Sequence, residues 1–259
     1  MKRDYCFWTV ADYEYSKMIA TAIRSARRVG VQEDFHVWSD VTVDGATTHA
    51  LGECDKQYYW FKFSYLKRFA QRLNYKYFIW IDADSYFVRN PGDLSRLLRN
   101  APLHSFLESD LCLEESYRKE WWDCPLPKYV DLMRRCGVTS NSIFNVNAGF
   151  WIVHRSAIST LCRLARYFWS TSNQEGFQFT EEAPLAYATH MLGGNPYAHT
   201  LKVNSQVWAS DWTGKFADRL PTASSWLFED YFTGNRYRVN PCIVHAMRSK
   251  DALIAANDR

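Results

Sequence analysis

Two carboxylates, Asp82 and Asp84, flank Ala83 immediately after the apolar run Tyr77-Phe78-Ile79-Trp80-Ile81. A run of that length without alternation suits a strand covered on both faces, as at the centre of a parallel sheet. In open α/β sheets ligands gather at the carboxyl ends of the strands, and that is where this pair lies. Two uses are open to it: the carboxylates cap a following turn, or they hold a hard divalent cation through oxygen. If the strand continued, residues two apart would share a face and both carboxylates would point the same way.

Other residues divide between a plain and a chemical reading. His245, after Ile243-Val244, is either a satisfied core histidine or a nitrogen ligand that suits Mn²⁺ better than Ca²⁺. Arg248 and Lys250 follow it and offer a guanidinium fork or a point charge to phosphate. Lys62 lies on a helical stretch, solvated or in contact with a ligand. Asn147-Ala148-Gly149 permits close approach of the backbone, to a neighbouring strand or to a ligand. Glu181 and Glu182 stand where a helix begins, favoured there by the helix dipole unless one of them acts on a substrate.

The elements that must position these groups are read from periodicity. Tyr5 to Val10 forms a strand. A helix follows from about Tyr15 to Val29, with Met18, Ile19, Ala22, Ile23 and Ala26 at helical spacing, and Gly30 stands where it ends. Phe35 to Trp38 is a second strand. A helix over Tyr58 to Leu73 precedes the apolar run, and a short helix from Pro91 ends at Leu98. Helices around Tyr129 to Arg135 and from Ala157 to Trp169 flank a strand over Asn147 to His154. Thr180 is placed to cap a helix running through Met191, with Pro184 in its first turn. Strands alternating with helices predict an α/β class with a mainly parallel sheet flanked by helices.

Composition narrows the partners. The 259 residues carry a formal charge of +3, too little for a nucleic-acid footprint. Arg24, Arg27 and Arg28 close a helix, where cations complement the dipole. Seven cysteines without a C-x-x-C pair fit neither a disulfide framework nor a zinc knuckle. No secretory leader is expected ahead of Asp4, and no apolar run approaches the ~18 residues of a membrane span. The expectation is therefore a reducing, cytoplasmic setting, with peripheral membrane association through a partner left open. Aromatic residues make up 17% of the chain, which suits either a large core or sugar- and base-binding faces. Glu108, Asp110, Trp121, Trp122 and Trp212 fall in loop-rich stretches where acceptor sites are usually built, and Trp121-Trp122 is either a sugar platform or divided between core and surface.

The segment IDADSYFVRNPGDL resembles the D-x-D region of the glycogenin-like glycosyltransferases, family 8, and their GT-A relatives. The resemblance extends in order over most of the chain. The first strand with Thr9, Ala11, Asp12 and Tyr13 resembles the nucleotide-base pocket. Lys62 resembles the family's donor-sugar cation. Asn147-Ala148-Gly149, in FNVNAGFWIVHR, is similar to the F-N-[AS]-G strand. Glu181-Glu182 stands where the family has an acid-Gln pair. His245 with Lys250, in IVHAMRSK, resembles the late metal-binding His and phosphate-binding Lys. Here the family's intervening Gly is absent, and Arg248 lies nearby.

What the resemblance implies is a single GT-A domain over 1–259, Rossmann-like, with nucleotide binding in about 1–100 and acceptor binding in about 101–259. Asp82, Asp84 and His245 are implied ligands of Mn²⁺ or Mg²⁺. Ala83, Lys62, Arg248 and Lys250 are implied donor contacts, and Glu181 or Glu182 the catalytic carboxylate. The implied reaction moves a hexose or N-acetylhexosamine from a UDP-sugar to a glycan, glycolipid, protein or small molecule. Retention, which the resemblance implies, would let the departing phosphate oxygen take the acceptor proton. Inversion would require one of the glutamates as general base. A catalytically inactive carbohydrate- or nucleotide-binding relative is the alternative. A nucleotidyltransferase fits poorly, because no Gly-rich phosphate loop follows the first strand.

Overall fold

The computed structural model describes residues 4–51, 61–98, 101–110, 120–121, 124–194, 207–211, 214–216, 226–230 and 236–248. Its strands and helices run in the order β1 (Tyr5–Val10), α1 (Tyr13–Arg28), β2 (Phe35–Ser39), β3 (Thr47–Ala50), α2 (Phe61–Arg72), β4 (Tyr77–Ile81), β5 (Ser85–Phe87), β6 (Leu103–Asp110). There follow β7 (Glu120–Trp121), β8 (Cys124–Pro125), α3 (Leu126–Arg135), β9 (Phe144–His154), α4 (Ile158–Gln174), α5 (Glu182–Met191). The last five are β10 (Trp208–Ser210), β11 (Gly214–Phe216), β12 (Trp226–Asp230), β13 (Arg236–Val239) and β14 (Ile243–His245). The chain is α/β, with a mixed sheet flanked by helices, and it divides into two compact units that interleave in sequence.

The first unit draws on Met1–Glu53, Ile79–Arg96 and His199–Arg259. Its sheet order is β3-β2-β1-β4, and β1, β2 and β3 run parallel with Phe7 opposite Phe35 and His36 opposite Thr47. Asp12 starts α1 by accepting the Tyr15 N–H at 3.0 Å on its Oδ1. At the other end Gly30, with φ 85°, takes the left-handed conformation that lets the chain reverse. The Gly30 N–H then donates to the Arg27 carbonyl and the Val31 N–H to the Ala26 carbonyl. The Arg27 guanidinium donates to the carbonyls of Val31 and Glu33 and lies over the Phe35 ring. Arg27 and Arg28 thus stand in the last turn of α1, while Arg24 lies a turn earlier and donates to Thr21 Oγ1. Phe7 stacks on Phe35 at 4.8 Å on one face of the sheet, and Trp8 meets Trp80 edge-on at 4.6 Å on the other, so the apolar run of β1 is covered on both faces.

Two smaller sheets complete this unit, and periodicity revealed neither. One has the order β10-β14-β5, built from strands of three residues each; the other, β11-β12-β13, is an antiparallel meander. Strands that short carry no alternation to read.

The second unit comprises Cys54–Phe78 and Leu97–Ala198. Here β6 and β9 pair antiparallel, so the sheet is less uniformly parallel than the sequence suggested. The pairing shifts register between Ser105 and Phe106, where Trp151 and Asn147 are the partners, leaving Ala148, Gly149 and Phe150 as a bulge. Tyr129 of α3 meets Phe168 of α4 edge-on, and Phe168 stacks on Tyr187 of α5 at 5.0 Å. Thr180 does not cap α5: the N-cap is Glu181, and the buried Thr180 hydroxyl has no hydrogen-bond partner among the described residues. Pro184 is the reason. A helix starting at Thr180 would need an N–H from Pro184, which has none, so the first helical bond is Leu185 N–H to the Glu181 carbonyl. No described helix is long and apolar enough to cross a membrane.

Candidate metal centre and ligand-binding residues

Strand β4 ends at Ile81, and the chain turns at once. The Ser85 N–H donates to the Asp82 carbonyl at 3.1 Å, closing a turn over Asp82-Ala83-Asp84-Ser85. The strand period is thus broken where the carboxylates stand, and a turn, not a shared strand face, brings them together. The turn delivers the chain into β5, which pairs antiparallel with β14 so that Ser85 lies opposite His245. The Ala246 N–H donates to the Asp84 carbonyl at 3.0 Å and locks the two segments in that register.

The His245 side chain consequently faces both carboxylates. Its Nε2 lies 3.1 Å from Asp84 Oδ1 and 3.5 Å from Asp82 Oδ2. Trp80, near the end of β4, donates its indole N–H to Asp82 Oδ1 at 2.7 Å, while Oδ2 is the oxygen nearer His245. Exposure is graded: 2% for the His245 side chain, 8% for Asp84 and 26% for Asp82, so the site opens on the Asp82 side. One ligand atom from each of the three lies within 4.8 Å of the others. Two carboxylate oxygens and an imidazole nitrogen form a donor set that fits Mn²⁺ or Mg²⁺, and a cation there would offset two converging negative charges.

Burial pushes the His245 imidazole towards neutrality, but the carboxylates of Asp84, then Asp82 and Asp211, outweigh burial and hold its pKa above the ordinary histidine value. The ion-free protein gains stability from this contact below the unfolded pKa of ~6.5 and loses it as pH rises through the raised value. A cation competes with that proton for Nε2. Mn²⁺ affinity, followed by titration calorimetry between pH 6 and 8.5, is therefore expected to strengthen as pH rises and to release protons on binding. A flat profile would place His245 outside the ligand set.

Around this centre lie two residues that the sequence reading passed over. Ser210 Oγ lies 3.1 Å from His245 Nδ1, and the buried Asp211 accepts the Arg248 backbone N–H on both carboxylate oxygens at 3.0 and 3.1 Å. The available signal was modest: Trp208-Ala209-Ser210-Asp211 repeats the pattern of a short run ending in a carboxylate. Arg248 itself is exposed, and Lys250 lies outside the described residues. The remaining residues grouped with the base pocket sit where β1 enters α1. Ala11 is held by its N–H to the Trp38 carbonyl, Asp12 is the helix cap, and Tyr13 is exposed. Thr9 is buried, its hydroxyl without a partner among the described residues, and Ala83 is buried inside the D-x-D turn.

The second unit gathers its own set. Lys62 Nζ pairs with Glu181 Oε1 at 2.6 Å, with side-chain exposures of only 7% and 11%. Glu181 Oε2 is buried without a hydrogen-bond partner among the described residues. Glu182 opens α5, in its first turn. Asn147 Oδ1 accepts the Gly149 N–H at 2.8 Å, so this side chain shapes the β9 bulge that carries Ala148. Glu108, also buried, accepts from Asn145 Nδ2 at 2.9 Å. Of the tryptophans placed in the acceptor region, Trp121 lies in β7, while Trp122 and Trp212 are outside the described residues. Comparison of the chain with protein-family models returns no match, and no curated protein matches it.

Proposed function

We propose that this chain is a divalent-metal-dependent glycosyltransferase of the GT-A type, moving a hexose or N-acetylhexosamine from a UDP-sugar to a glycan, glycolipid, protein or small-molecule acceptor, with retention. The observation that carries the reading is the convergence of Asp82, Asp84 and His245, which the β5–β14 register draws together from distant parts of the sequence. A buried histidine against two carboxylates at the carboxyl end of a strand has no evident structural purpose that an apolar side chain would not serve better.

Sugar transfer from a nucleoside diphosphate leaves charge on the departing phosphate, and a divalent cation supplies Lewis-acid stabilisation of that charge. The chain's own residues would hold the cation: Asp84 and His245 from the buried side, Asp82 at the mouth. Arg248, exposed three residues beyond His245, is the phosphate contact in this reading. The resemblance gives Lys62 and one of Glu181 and Glu182 to the donor sugar. The Lys62 ammonium would fix the direction of the Glu181 carboxylate. Cys124, Cys136 and Cys162 form no disulfide among the described residues, which suits a reducing, cytoplasmic compartment.

The test is donor hydrolysis. A panel of nucleotide sugars is incubated with the protein in Mn²⁺, Mg²⁺ or EDTA, and free nucleoside diphosphate is measured. Release from one UDP-sugar, stopped by EDTA, is the expected result. Metal-independent sugar binding with no release from any donor would favour the inactive binding relative instead.

A further inference from the structure

An imidazole has two nitrogens, and only Nε2 of His245 faces the carboxylates. Ser210, His245 and Ser85 lie in one row across β10-β14-β5, and side chains paired in register project from the same face. Ser210 reaches Nδ1 at 3.1 Å, while Nε2 points to Asp84. Both His245 and Ser210 are buried, so little water competes for Nδ1.

Resting on the metal reading, we infer that Ser210 is a positioning residue for His245, its hydroxyl accepting the Nδ1 proton and so keeping Nε2 as the nitrogen that faces the cation. A hydroxyl can accept from Nδ1–H while Nε2 would hold the cation, so the buried ring would keep the one orientation that the sheet register gives it.

Asp211 acts on the same residue through the backbone. Its N–H donates to the His245 carbonyl at 3.0 Å, and its carboxylate accepts the Arg248 N–H. The segment His245-Ala246-Met247-Arg248 is thus held at both ends by one side chain and its own amide. Ser210 sets the direction of the imidazole, and Asp211 sets the path of the chain that carries it.

The experiment compares wild type, Ser210→Ala and Ser210→Thr. Mn²⁺ affinity is measured by calorimetry, and the His245 ring protons are followed by long-range ¹H–¹⁵N NMR with Mg²⁺ as the diamagnetic ion. Loss of a hydrogen-bond partner to a metal-binding histidine lowers affinity by ~10–100-fold. That loss is expected for Ser210→Ala, with near-recovery in Ser210→Thr, which keeps the hydroxyl. A slowly exchanging Nδ1 proton is expected in wild type and Ser210→Thr, and its disappearance in Ser210→Ala is a change that a merely destabilising substitution would not produce in a folded sample. Wild type that binds neither ion overturns the metal reading itself. Wild type that binds Mn²⁺, with Ser210→Ala binding it equally well and keeping the Nδ1 proton, overturns the role of Ser210 alone.

Discussion

Replacing Asp84 with asparagine is expected to abolish the response to Mn²⁺ while leaving the fold intact. Asparagine keeps the backbone carbonyl that receives the Ala246 N–H and fills the same volume, so the β5–β14 register survives. What is lost is the carboxylate nearest His245, at 3.1 Å. In wild type, Mn²⁺ at about 100 times its Kd adds ~2.7 kcal/mol of stability. At ~2–4 °C per kcal/mol for a chain of this size class, that is a rise of roughly 5–10 °C in Tm. The variant should show no rise. Donor hydrolysis should fall by ~10³-fold or more, since a cation at the leaving group contributes several kcal/mol to the barrier and each ~1.4 kcal/mol is tenfold. If Asp84 were only a turn residue, wild type itself would not respond to Mn²⁺, and the substitution would cost no more than the ~1 kcal/mol of a lost cap. The ion-free variant also supplies a check on electrostatics. Without the largest of the opposing contributions, the His245 pKa should fall, because burial then faces only Asp82 and Asp211.

The second large effect is one of stability. Lys62→Met removes the ammonium from a carboxylate that is only 11% exposed, and breaking a buried pair on one side costs ~3–5 kcal/mol. On the scale above, Tm should drop by roughly 10 °C, and urea unfolding should shift to a lower midpoint with little change in slope. Combining Lys62→Met with Glu181→Leu should restore most of the loss, because a buried ion pair replaced as a unit by apolar side chains is often neutral. The double variant then separates two roles. If it is as stable as wild type yet has lost donor hydrolysis, the pair serves a ligand. If hydrolysis persists, Lys62 and Glu181 are a structural pair, and the catalytic carboxylate must be sought at Glu182.

Much of the frame was legible because it is local. The strands Tyr5–Val10 and Tyr77–Ile81 have the bounds read from their apolar runs, and α1 was announced by its helical spacing and by Gly30 at its end. Asp82, Asp84 and His245 were recognisable as candidate ligands from residue type, their place after apolar runs, and the resemblance to the D-x-D enzymes. Those features depend on side-chain chemistry within a few residues, and a sequence displays them directly.

What the sequence could not display is who meets whom. That Asp82 and Asp84 converge through a turn depends on β5, a strand of three residues, too short to show a period. That His245 arrives beside them depends on its register with Ser85, and that Ser210 steadies the ring depends on a third short strand. The partnership of Lys62 with Glu181 is of the same kind: each residue was singled out for a ligand, and only folding made each the other's counter-charge. Local propensity is set by neighbours along the chain, whereas these contacts gain free energy only after long loops have closed and water has been excluded. Residue types and strand ends therefore determined which groups were available for chemistry, and the packing of the short sheet decided which of them share a site.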